Sequence, residues 1–154
     1  MKQPFPFRVN IGFLLNQPIG TRRDIHFDVP AFQLSIDLEA QAITGVTRLT
    51  RTGQGILVDS QFDASVPADC VRCLVNFLQP LHISFTDLFA FNPDQATESG
   101  LLVPDDGNID LAPLVMEYLI LEIPIQPICR PECKGLCPVC GADLNTAPCE
   151  HSAA

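Results

Sequence analysis

Seven cysteines carry most of the chemical potential of this 154-residue chain, and their spacing is ordered. Cys70 and Cys73 form CVRC, Cys129 and Cys133 form CxxxC, Cys137 and Cys140 form CPVCG, and Cys149 stands two residues before His151 in CxH. Two intervening residues allow one turn to aim both thiolates at a single ion, a spacing common to structural zinc sites. CPVCG is the sharper of the two, because Pro138 restricts φ inside the turn and Gly141 lets the backbone bend back beneath a metal. Four pairs supply eight ligands, enough for two tetrahedral Zn²⁺ sites. Proximity in sequence favours Cys137, Cys140, Cys149 and His151 as one set, leaving Cys70, Cys73, Cys129 and Cys133 as the other. The alternative is interleaved, with CVRC and CPVCG sharing an ion as in a zinc ribbon. A set of four closed ligands leaves no position for water or substrate, so the ions are expected to be structural.

Competing chemistries fit less well. Without an export signal a disulfide framework is unexpected, and seven thiols cannot all pair. A zinc deaminase requires an H-x-E element, which the sequence lacks. A thioredoxin-like dithiol opens a helix after a strand, whereas LVNFLQPLHIS after CVRC reads as extended or broken. His26 and His82 lie in strand-like segments with no partner motif and read as ordinary surface histidines. Arg72, Arg130 and Lys134 lie inside or beside the cysteine pairs, where they offset thiolate charge or, alternatively, meet RNA phosphate. No catalytic residue and no small-molecule substrate is expected.

The chain carries nine basic and eighteen acidic residues, for a net charge of −9. Filling both sites makes the balance more negative, since seven thiolates outweigh two divalent ions. Such a charge repels bulk nucleic acid at long range. The opening MKQPFPFRVNIGFLL breaks its apolar residues with two prolines and an arginine, unlike a signal peptide, and no run approaches the roughly 20 apolar residues of a membrane span. The expected location is the cytoplasm.

The elements that must position the ligands are mostly strands. Phe7, Val9, Ile11 and Phe13 alternate with polar or small residues, and FQLSIDLE places Phe32, Leu34, Ile36 and Leu38 on one face. Ile43 to Phe62 reads as a hairpin reversing at Arg51-Thr-Gly-Gln-Gly55. Leu81, Ile83 and Phe85 mark another strand, giving at least five before residue 90. Asn92 to Asn108 has loop composition. Asp110 is placed to cap a helix whose apolar Leu111, Leu114, Val115, Tyr118 and Leu119 recur at helical spacing before Pro124. The expected fold is α+β: a β-rich single domain with a body over 1–128, one main helix near 110–122, and a zinc-binding tail over 129–151 packed on that body.

The succession of ITGVTRLTRTGQGILVDSQFDASVPADCVRCL, NIDLAPLVMEYLILEIPIQPIC and CKGLCPVCGADLNTAPCEH resembles the large ribosomal RNA subunit accumulation protein (YceD) family over nearly the whole chain. The resemblance implies a bacterial or plastid protein that supports large-subunit ribosomal RNA accumulation through processing, stability or ribosome assembly. It brings no catalytic mechanism. Relatives without the terminal tail keep the first CxxC and a ligand pair after the helix, which implies that Cys70 and Cys73 join Cys129 and Cys133. The final CxH departs from the CxC of many relatives. The implied partner is ribosomal RNA or an assembly protein, with contact through protein favoured by the charge. The rival reading is a nuclease-like enzyme with a separate Mg²⁺ near Asp105, Asp106 and Asp110, although no two-metal arrangement of carboxylates is visible.

Overall fold

A computed structural model describes residues 6–151, so the start of the N-terminal segment read above lies outside the described residues. The fold is β-rich, with two sheets and one main helix. Four long antiparallel strands run in sequence order: β2 (Arg22–Ser35), β3 (Leu38–Arg51), β4 (Gly55–Asp69) and β5 (Asn76–Ala90). A short β1 (Arg8–Asn10) pairs with β6 (Asn108–Asp110), and α1 (Gly12–Leu15) and the main helix α2 (Ala112–Glu122) follow β1 and β6 respectively.

The long strands form because their side chains alternate. In β4, Ile56, Val58, Phe62, Ala64 and Val66 are buried, while Asp59, Gln61 and Asp63 between them face water. Ser60 shares the buried face and is satisfied by Thr47 on β3, with the two hydroxyls 2.8 Å apart. Val115 and Leu119 of α2 join this core, and Tyr118 stacks on Phe85 of β5 with ring centroids 4.8 Å apart. Phe7, just before β1, meets Phe32 and Phe62 edge-on at 5.0 and 5.7 Å. These contacts place the small sheet and α2 against the apolar face of the large one.

Two expected strands are corrected. FQLSIDLE is a hairpin tip rather than one strand: β2 stops at Ser35, Ile36 and Asp37 turn, and β3 begins at Leu38, leaving Ile36 fully exposed. Local polar groups stabilise the reversal, with Ser35 Oγ 3.1 Å from Asp37 and the Gln33 amide donating to the Ile36 carbonyl at 3.3 Å. The segment 7–13 is a strand only at Arg8–Asn10. The Asn10 side chain then accepts from the Gly12 N–H at 2.9 Å, turning the chain into α1 and leaving Phe13 exposed.

The hairpin over 43–62 is present and longer at both ends, and the strand around 81–86 extends over all of β5. Residues 92–108 are mostly loop, with a short 3₁₀ turn at Pro93–Gln95. Asp110 accepts from the Ala112 N–H at 3.0 Å at the entry to α2, which ends before Pro124. No helix among the described residues is long and apolar enough to cross a membrane.

Candidate metal centres

The reversal between β4 and β5 is the first knuckle. Asp69 pairs with Asn76 across its base, so Cys70 to Val75 form the tip of a long hairpin. Inside it the Cys70 N–H donates to the Val75 carbonyl and the Leu74 N–H to the Cys70 carbonyl, both at 2.9 Å. The second knuckle repeats this pattern: the Cys137 N–H donates to Ala142 at 2.8 Å and the Gly141 N–H to Cys137 at 2.9 Å. The fifth residue of each knuckle is left-handed, with φ of 64° at Leu74 and 75° at Gly141. Glycine adopts that conformation without strain; leucine does not.

Backbone contacts stitch the post-helix segment to the first knuckle. Val71 N–H donates to Pro127 at 2.9 Å, Leu136 N–H to Arg72 at 3.0 Å, and the Arg72 guanidinium to the Cys133 carbonyl at 3.0 Å. Gly135, at φ 78°, lies so close that a Cβ there would sit 3.1 Å from the Arg72 carbonyl oxygen. Arg72 therefore ties the first knuckle to the post-helix segment through both its side chain and its backbone. Arg130 and Lys134 are exposed.

The ligand atoms of Cys70, Cys73, Cys129 and Cys133 gather within 4.8 Å of one another, and those of Cys137, Cys140, Cys149 and His151 do the same. Among the described residues this is the grouping that sequence proximity favours, rather than the interleaved one. In the first group Cys70 and Cys133 sulphurs are 3.8 Å apart and those of Cys73 and Cys129 3.7 Å. These separations far exceed the roughly 2 Å of a disulfide. A tetrahedron with metal–sulphur bonds of about 2.3 Å has edges of about 3.8 Å, so the spacing fits a Zn²⁺-sized ion. Neither group includes a carboxylate. Their surroundings differ: Cys70 and Cys133 are buried, whereas Cys140 and His151 are exposed.

The electrostatics favour a cation. Burial pushes the Cys70 thiol up, but the backbone amides of Cys73, Cys129 and Arg72 outweigh it and bring it down to about 6. Burial, then the neighbouring thiols of Cys73, Cys133 and Cys70, push Cys129 up to about 12. In the second group the amides of Cys140 and Val139 lower Cys137 to about 7. Once one thiolate forms, its neighbours resist a second negative charge, and a divalent cation relieves that repulsion.

Asn145 is the residue that spacing alone overlooked. Its Nδ2 lies 3.4 Å from Cys133 Sγ, while its Oδ1 accepts from the Lys134 N–H at 2.8 Å. That amide donor holds the Cys133 thiol below its ordinary value against the opposing effect of burial. A lone asparagine between two ligand pairs has no spacing signature; the only hint is its place in the GADLN run after CPVC.

Comparison with known proteins bears on the whole arrangement. An uncharacterized protein of Mycobacterium tuberculosis is 37% identical over 93% of this chain and 73% of its own length. An uncharacterized Bacillus subtilis protein, YlbN, is 38% identical over 48% of this chain and 44% of its own. A chloroplastic maize protein named large ribosomal RNA subunit accumulation protein YCED homolog 1 is 46% identical over 27% of this chain and 14% of its own. No solved structure matches. The family model described as large ribosomal RNA subunit accumulation protein YceD matches residues 58–154, from within β4 through both cysteine groups, and the chain belongs to that family.

Proposed function

We propose that this chain is a non-enzymatic factor, stabilised by two structural zinc ions, that supports large-subunit ribosomal RNA accumulation through processing, stability or ribosome assembly. The observation that carries the reading is the pairing of family membership with two compact, carboxylate-free ligand groups. Cys70, Cys73, Cys129 and Cys133 would hold one ion, and Cys137, Cys140, Cys149 and His151 the other. The ions would supply folding free energy, not a reactive water. The architecture then reads as an α+β domain whose segment 129–151 is fastened to the 1–128 body by the first ion.

Two of the three carboxylates of the rival nuclease reading, Asp106 and Asp110, have structural tasks. Asp106 accepts from the Asn108 N–H at 3.0 Å and from Arg8 at 3.2 Å, while Asp110 accepts at the entry to α2. The net charge of −9 favours docking in the cytoplasm on a basic assembly protein over direct contact with RNA.

Depletion of the chain from its host should lower large-subunit ribosomal RNA relative to small-subunit RNA. Wild-type protein, but not the Cys70→Ser/Cys73→Ser variant, should restore it. Purified protein should leave naked large-subunit RNA intact in Mg²⁺ and bind it weakly, with little salt dependence. Mg²⁺-dependent cleavage lost in Asp106→Asn would establish the enzyme instead, and steep salt dependence would establish direct phosphate contact.

A further inference from the structure

Between the two ligand groups stands a side chain that belongs to one by sequence and touches the other in space. Asn145 lies in the loop from Cys140 to Cys149, inside the stretch that the second group closes. Its amide nevertheless reaches Cys133 of the first group. The orientation is fixed by its neighbours: the Lys134 N–H can only donate, so Oδ1 must face it and Nδ2 must face the sulphur. Leu144 N–H donates to the Gly135 carbonyl at 3.0 Å and Asn145 N–H donates to Asp143 Oδ1 at 2.9 Å, which holds the asparagine at that spot.

We infer that Asn145 is a positioning residue coupling the two metal centres, so that closing the second centre strengthens retention of the ion in the first. The inference rests on the two-ion reading above. A thiolate ligand that accepts an N–H hydrogen bond carries less unscreened charge and is held in its ligating orientation, and loss of such an outer partner typically costs about tenfold or more in metal affinity. Opening the second centre frees the loop between Cys140 and Cys149, and with it the donor. Linkage makes the effect reciprocal: a filled first centre also favours a filled second one.

The test compares Asn145→Asp, Asn145→Ala and Cys149→Ser in the full chain. Asn145→Asp keeps the oxygen that accepts from Lys134 but replaces the donor facing sulphur with a second oxygen. It should speed release of the ion from the all-cysteine centre to a chromophoric chelator by about tenfold, as should Asn145→Ala. With cobalt in place of zinc, the sulphur-to-metal charge-transfer band should shift in both, a signature that loosened packing alone would not give. Cys149→Ser should speed release from the same centre, and adding Asn145→Asp to it should change little further. Wild-type release and spectrum in Asn145→Asp, or additive effects with Cys149→Ser, would overturn the coupling while leaving two bound ions intact. Protein that binds no metal would overturn the coupling together with the reading beneath it.

Discussion

Leu74 and Gly141 occupy equivalent places in the two knuckles, yet only one is the residue that the backbone prefers. A left-handed L-residue costs roughly 1–2 kcal/mol, and Leu74, 66% exposed, recovers little of that by burial. Glycine would remove the strain at an unfolded-state entropy cost of roughly 0.5–1 kcal/mol. Leu74→Gly should therefore stabilise the fold by about 0.5–1 kcal/mol, read as a higher denaturation midpoint with unchanged metal content. A lower midpoint would mean that the leucine side chain contributes packing beyond its exposure. At this scale the candidate ligand pairs were legible because each is local, its spacing written in consecutive residues. Asn145 was not, because its contact with Cys133 runs back across the whole CPVCG knuckle and depends on how that knuckle lies against Lys134.

The strands were legible where alternation is strict, as at Leu81, Ile83 and Phe85 of β5, and misread where alternation continues through a turn. Leu34, Ile36 and Leu38 keep a period of two, but Ile36 is the tip of a hairpin held by Gln33, Ser35 and Asp37. Period alone cannot separate a turn of two residues from a continuing strand. The contact of α2 with β5 was also hidden, and it carries an electrostatic cost. Burial, followed by the neighbouring carboxylate of Glu117, pushes the Asp87 carboxyl above its ordinary value. A raised folded value means that the folded state binds the proton more tightly than the unfolded chain does. The cost is absent below the unfolded value of about 4, grows as pH rises through the folded one, and is fully present at neutrality. Asp87→Asn should raise the thermal midpoint at pH 7, with the gain shrinking as pH falls below the ordinary carboxylate range. A gain that is independent of pH would point to packing instead of charge.

Across the whole molecule the two proposed centres would have unequal mechanical roles. Cys70 and Cys73 lie at the far end of the β4–β5 hairpin and Cys129 and Cys133 lie beyond α2, so the first centre joins segments distant in sequence. The second closes only a local loop, which the spacing conveyed and the geometry repeats. Cys73→Ser should lower the thermal midpoint by about 10 °C, the equivalent of roughly 3 kcal/mol or more in a chain of this size, and Cys140→Ser by only a few degrees. Equal losses from both would show that the tail supports the sheet as strongly as the hairpin knuckle does. The proposed role of metal in this fold depends on what fills the two ligand groups. Elemental analysis of protein purified without chelator should find two zinc ions per chain, whereas one ion or none, with the thiols reduced and freely titratable, would contradict it.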